Sequence, residues 1–248
     1  MSRKSFQIAV FLLAAACLGL MGCEAMKAKP SQGTGFVPMK ELAAQAEYPF
    51  NKAWLKAGVD WDKYKTIYIK DVNTKYLMEA NWWQQNFRHQ DMERDTQTIS
   101  RYMREKFRES FKNDPKRLYK VLNAPEPGSL TLEMALTELV PSNPALEAAS
   151  IAAPYGGGVV VQVAARESGA KATVAFESRL VDTDTGVVLF MAADREQGKV
   201  APVNLRALTW YGEANVIIDE WADQFVQVAN KHPGEVVKAA SPFTLMPW

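Results

Sequence analysis

Between Ser129 and Val140 the apolar side chains Leu130, Leu132, Met134 and Leu136 alternate with Thr131, Glu133, Ala135 and Thr137. A period of two over eight residues marks a strand with one apolar face, and such a strand needs partners and a covering layer. Partners follow in sequence. Thr173–Val181 and Val187–Ala193 are two further β-rich runs, and Asp182-Thr183-Asp184-Thr185-Gly186 between them has the length and composition of a hairpin loop. These three strands are expected to lie antiparallel in one sheet. A fourth strand is expected at Lys65–Val72, where Ile67 and Ile69 mark a β-branched run.

The covering layer is also legible. Over Asp95–Phe111, Ile99, Tyr102, Met103, Phe107 and Phe111 recur at spacings of three and four, which predicts an amphipathic helix that Asn113-Asp114-Pro115 stops. A second helix is predicted over about Asn204–Lys231, with Leu208, Tyr211, Asn215, Ile218, Ala222, Phe225 and Ala229 in register, Trp221 beside them, and His232-Pro233-Gly234 at its end. Pro144–Glu167 supports either helix (Ala145–Ala153) or strand (Val159–Val163), with Pro154-Tyr155-Gly156-Gly157-Gly158 between them. Strands leading into helices without a regular βαβ alternation give α+β as the class: a mixed, largely antiparallel sheet packed with helices.

The N-terminus constrains location. Arg3 and Lys4 precede an apolar run, Ile8–Leu20, that is short for a membrane span but suits the core of an export signal. Leu20-Met21-Gly22-Cys23 resembles the bacterial lipobox, which implies cleavage before Cys23 and acylation of that cysteine by chains such as palmitate. Cys17 falls in the removed segment, so no disulfide forms in the mature protein. Two or three acyl chains give stable anchoring where one does not. By the sorting rule of that class, Glu24 in place of aspartate after the cysteine implies the outer membrane, facing the periplasm. The expected organisation is a signal peptide (1–22), a lipidated N-terminus and flexible linker (23–49), and one domain (50–248). A turn of helix is expected within the linker at Met39–Ala46.

Loss of Arg3 and Lys4 leaves the mature side chains close to neutral, which argues against a nucleic acid partner. His89 and His232 are the sole histidines, outside any metal-ligand spacing, so no metal site and no cofactor is expected. No Gly-x-Ser-x-Gly elbow has a histidine to serve it, and Gly156-Gly157-Gly158 lacks the lysine of a phosphate loop. Asp182, Asp184 and Gly186 imitate the start of a calcium loop, but Val187–Ala193 supplies apolar residues where oxygen ligands are needed, and a hairpin turn is the better reading. Glu133, Glu138, Glu177 and Asp194 lie on predicted strands and could converge, although most are expected on solvated faces. The aromatic segment containing Tyr76, Trp82, Trp83 and Phe87 is the candidate interaction surface, since adjacent tryptophans cannot both face inward from one strand.

Lys56-Ala57-Gly58-Val59-Asp60 with Tyr64-Lys65-Thr66-Ile67-Tyr68-Ile69, and Arg179-Leu180-Val181-Asp182 with Thr185-Gly186-Val187-Val188-Leu189, carry a family likeness. Over about Phe50–Lys231 the chain resembles the domain-of-unknown-function family 3313 of bacterial lipoproteins, a family that implies no activity. A more distant resemblance, in element order and the Asp-x-x-Thr-Gly turn, is to periplasmic domains of curli-secretion lipoproteins and of lipoprotein activators of cell-wall synthases. The expectation is a non-enzymatic lipoprotein, attached to the membrane through Cys23, whose head binds an envelope protein. A small-ligand or glycan-binding head is the alternative, and a hydrolase ranks third.

Overall fold

The computed structural model describes residues 28–78, 89–141, 164, 171–201, 205, 209 and 211–244. Six strands form one sheet: β1 (Lys52–Leu55), β2 (Thr66–Ile69), β3 (Lys120–Leu122), β4 (Leu130–Val140), β5 (Thr173–Asp182) and β6 (Val188–Gln197), in the order β1-β6-β5-β4-β2-β3. Pairing is antiparallel from β1 through β6 and β5 to β4, and parallel where β2 joins β4 and β3. The helices are α1 (Lys75–Met78), α2 (His89–Lys112) and α3 (Gly212–Asn230). The fold is α+β with a mostly antiparallel, open sheet, as the sequence pattern predicts.

Alternation on the central strands decides the core. Leu130, Leu132, Met134 and Leu136 of β4 and Val174 and Phe176 of β5 join Met103 and Phe107 of α2 and Ile217, Ile218, Trp221 and Phe225 of α3 in one apolar cluster. Phe176 lies at its centre, edge-on to Trp221 at 4.6 Å and tilted against Phe225 at 5.6 Å. Offset and edge contacts of this kind add to the stabilisation from burial. The two long helices run side by side in the same direction. Tyr102 donates to Asp219 at 2.6 Å, Ser110 to Asp223 at 2.9 Å, and Asn230 to Asp114 at 2.8 Å, so position numbers rise together along both.

A bulge between Leu136 and Glu138 interrupts β4 where it faces β5. Strict alternation would send Glu138 into the apolar layer; the extra residue turns Leu139 inward instead, where it is fully buried. Glu138 then lies on the opposite face in a two-point ion pair with Arg195, both N···O distances being 2.8 Å.

That opposite face departs from expectation. The reading of residues 23–49 as flexible linker does not hold from residue 28 onward. Ala28 is buried, Val37 and Leu42 pack on Met191 and Ala193, and Ala43 exchanges two backbone hydrogen bonds with Ala53 of β1. Residues 28–43 are thus a strap across the sheet. The helical turn expected at Met39–Ala46 is absent. A reverse turn in which Glu41 N–H donates to Pro38 at 2.8 Å takes its place, because the chain must straighten to pair Ala43 with β1. Gly33 adopts φ +89 at the strap's first bend, where a side chain would collide with Met39.

Boundaries moved for local reasons. β2 is shorter than Lys65–Val72, but its pairing resumes irregularly: Asn73 N–H donates to Met134 and Asn73 C=O accepts from Leu136, both at 2.9 Å. The last helix begins at Gly212. β1 and β3, four and three residues long, have no readable period in the sequence. Pro144–Glu167, apart from Ala164, lies outside the described residues.

Candidate functional site

The hairpin between β5 and β6 is tied by its first residue. One carboxylate oxygen of Asp182 accepts from Asp184 N–H at 3.1 Å, Thr185 N–H at 3.0 Å and the Thr185 hydroxyl at 3.0 Å. Gly186 closes the turn at φ +68, a conformation that suits glycine. The turn reading therefore accounts for Asp182 and Gly186. Asp184 does different work, accepting from Gly128 N–H at 2.8 Å.

The other oxygen of Asp182 reaches across the sheet's end. Tyr64 donates its hydroxyl at 2.5 Å and Lys63 its ammonium at 3.2 Å. Tyr64 is buried directly after the 3₁₀ turn Trp61–Lys63, which Asp60 caps through Asp62 N–H. The Lys63 ammonium also lies 4.5 Å from the centre of the Tyr64 ring. The Tyr64 hydroxyl, then the Thr185 backbone N–H, hold the Asp182 carboxyl well below the usual carboxylate range. Burial, followed by the hydrogen bond to Asp182, pushes the Tyr64 phenol up. Asp182 is accordingly an anion and Tyr64 a neutral donor across the ordinary pH range.

The hairpin tip is fastened on its other side too. Thr183 shares hydroxyl hydrogen bonds with Ser129 at 2.9 Å and Thr131 at 2.8 Å, and its N–H donates to the Ser129 carbonyl at 3.0 Å.

An open recess of about 330 Å³ lies beside this lock, with Lys56, Val59, Lys63, Tyr64, Val187 and Leu189 among its walls. Its lining comes from residues 56–64 and 182–189, and apart from Lys63 each lining residue belongs to the motifs that carry the family resemblance. They are separated in sequence and become one surface in the fold. The recess offers two lysines, a phenol edge and aliphatic patches on a floor that hydrogen bonds hold still. Such a surface can recognise a partner.

Each of the four strand carboxylates is engaged by structural partners, Glu177 and Asp194 buried and Glu133 and Glu138 part-exposed. Glu133 receives Lys70 at 2.8 Å and Arg179 at 2.6 Å; burial raises its pKa, but these two cations outweigh that and hold it low. Glu138 is taken by Arg195. Glu177, fully buried, accepts from Thr34 N–H at 2.6 Å, the Thr34 hydroxyl at 3.0 Å and Val37 N–H at 2.9 Å, which fastens the strap to the middle of β5. Asp194 points to the helical face, accepting from Trp221 Nε1 at 2.8 Å and Asn51 N–H at 2.9 Å. Among the described residues, no three His, Cys, Asp or Glu side chains are placed to hold a metal ion.

Of the aromatic candidate surface, Tyr76 is half-buried and meets Phe36 of the strap edge-on at 5.9 Å, while Phe36 is covered by the Arg179 guanidinium at 4.9 Å. Tyr76 therefore helps seat the strap. Trp82, Trp83 and Phe87 lie outside the described residues, as does Cys23. Sequence reasoning missed Lys63 and Glu177 as anchoring groups. The pairing of Tyr64 with Asp182 had one available signal, since each belongs to a motif of the resemblance.

The family model described as "Protein of unknown function (DUF3313)" matches residues 35–225. This chain belongs to the DUF3313 family. The match begins at Gly35, inside the strap, so it takes in Val37, whose N–H Glu177 holds, and starts one residue after Thr34, the other residue Glu177 holds. Among curated proteins no sequence matches it. Among solved structures, the DUF3313 chain is similar to a PelC dodecamer from Paraburkholderia phytofirmans, at 8% identity and a TM-score of 0.36 over 69% of this chain and 95% of that one. A PelC point variant from the same organism, also a dodecamer, gives 9% identity and a TM-score of 0.37 over 69% and 94%.

Proposed function

We propose that this DUF3313 protein is an outer-membrane lipoprotein, anchored through acylated Cys23, whose periplasmic head acts by binding another envelope protein and not by catalysis. The observation that carries the binding reading is the recess: two distant motif stretches converge on one open, rigid surface. Rigid floors favour recognition, because little side-chain freedom is lost when a partner docks. Support against a hydrolase comes from the strand carboxylates, each of which is engaged by structural donors. The export signal and lipobox-like tetrapeptide support the address. Among the described residues no helix is long and apolar enough to cross a membrane.

The test places a photo-crosslinking residue at Val187, on the recess wall, and another at exposed Arg101 of α2. In intact envelopes the Val187 probe is expected to yield a discrete protein adduct that the Arg101 probe does not, and Cys23→Ser is expected to move the protein out of the membrane fraction and abolish the adduct. Equal labelling from both positions would count against the recess. Continued membrane retention of Cys23→Ser would count against the anchor.

A further inference from the structure

The length of free chain between the anchor and the docked strap restricts how the head can stand on its membrane. This deepens the proposed function and rests on acylation of Cys23. The stretch 23–49, which composition reads as a leash, is largely used up by the strap, since Ala28 is already buried and the Lys29 carbonyl accepts from Arg195 at 3.4 Å. Five peptide steps separate Cys23 from Ala28, and fully extended they reach about 18 Å.

Arg195 marks one end of the central hairpin and the recess marks the other. Arg195 pairs with Ala175 across β5, whereas Asp182 ends β5 under the recess. Seven residue steps at the rise of a strand put these two levels about 24 Å apart. An inverted head, with the recess pressed on lipid and the strap's start uppermost, would need more tether than exists. Upright, the same tether is ample.

We infer that the head stands on its bilayer on the end of the sheet where Arg195 and the start of the strap lie, and that the recess built by residues 56–64 and 182–189 opens away from that bilayer. The partner of the recess is accordingly a component of the periplasmic space or of the surface opposite, not the lipid in which Cys23 is anchored. Strap docking is what sets this orientation: Glu177 and the Val37–Met191 contact convert a long leash into a short stalk.

The lipidated mature protein, reconstituted in vesicles whose headgroups carry a nitroxide quencher, tests this with one fluorophore at Lys29→Cys or at Ala57→Cys, beside the recess. After flotation, the label at position 29 is expected to be quenched at least about twofold more than the label at position 57, given a separation of about 24 Å. Inserting about twenty Gly/Ser residues between Glu24 and Ala25 adds about 25 Å of flexible reach and is expected to bring the ratio towards one. Protein that floats with equal quenching at both positions, without the insert, overturns the orientation and leaves the anchor standing. Protein that fails to float overturns the anchor, and the orientation with it.

Discussion

Asp182 does two jobs with two oxygens. One closes the β5–β6 turn and the other holds Tyr64 and Lys63 from a segment 118 positions away, so the residue joins local to tertiary structure. Replacement by Asn keeps the shape but removes the charge that strengthens these bonds, and at neutral pH Asp182→Asn is expected to cost about 2 kcal/mol of unfolding free energy. The sign of its pH dependence follows from the depressed folded-state pKa. Stability from the carboxylate is fully present above the unfolded value of about 3.9 and is lost as pH falls below it towards the folded value. Denaturant titrations of both proteins should therefore diverge at pH 7 and converge progressively as pH drops below about 4. A gap that stayed constant through that range would contradict the assignment.

At the scale of elements, the strap depends on Glu177 more than on its own apolar content. Three donors from residues 34 and 37 converge on one buried carboxylate, and Glu177→Ala strands all three while opening a hole in the sheet's covered face. A loss of about 2–4 kcal/mol is expected, concentrated in the strap. Exposed Lys40 provides the readout: trypsin should cut after it markedly faster in Glu177→Ala than in the parent, before the sheet itself unfolds. Glu177→Gln retains an acceptor and should fall between the two. Equal cleavage rates in all three would show that the strap is held by other contacts.

For the whole molecule, the strap moves the domain boundary. A head beginning at residue 50, where composition puts the start of the domain, would leave Met191 and Ala193 uncovered and Glu177 without its three donors. The 50–248 fragment is expected to melt at a lower temperature than 28–248 and to self-associate, since newly exposed apolar surface is a contact site. Calorimetry and sedimentation of the two fragments check this. Fragments with identical melting temperatures would return residues 28–49 to the role of a passive linker.

Much of the fold was legible because it is written in short-range periods. Alternation at Leu130–Leu136, the Asp-Thr-Gly hairpin turn, and the three-and-four spacing from Ile99 to Phe111 each repeat within a few residues, and each strand or helix stands where its period predicts. The spacing could not show that Glu177 is fully buried, because the cover on that face is the strap, whose Gly- and Pro-containing sequence has the composition of a linker. Nor could it show the bulge that turns Glu138 outward, since Thr137 is unexceptional until β5 sets the register. The candidate carboxylates were visible one by one, but their use in holding a guanidinium, a strap or an indole is a matter of which strands become neighbours. So the sequence alone determined the three long strands, the two long helices, the α+β class and the two motifs, all of which depend on residues close together in the chain. Only tertiary structure decided that the motifs share one recess and that the apparent linker is part of the head, because both follow from contacts whose partners lie more than a hundred residues apart.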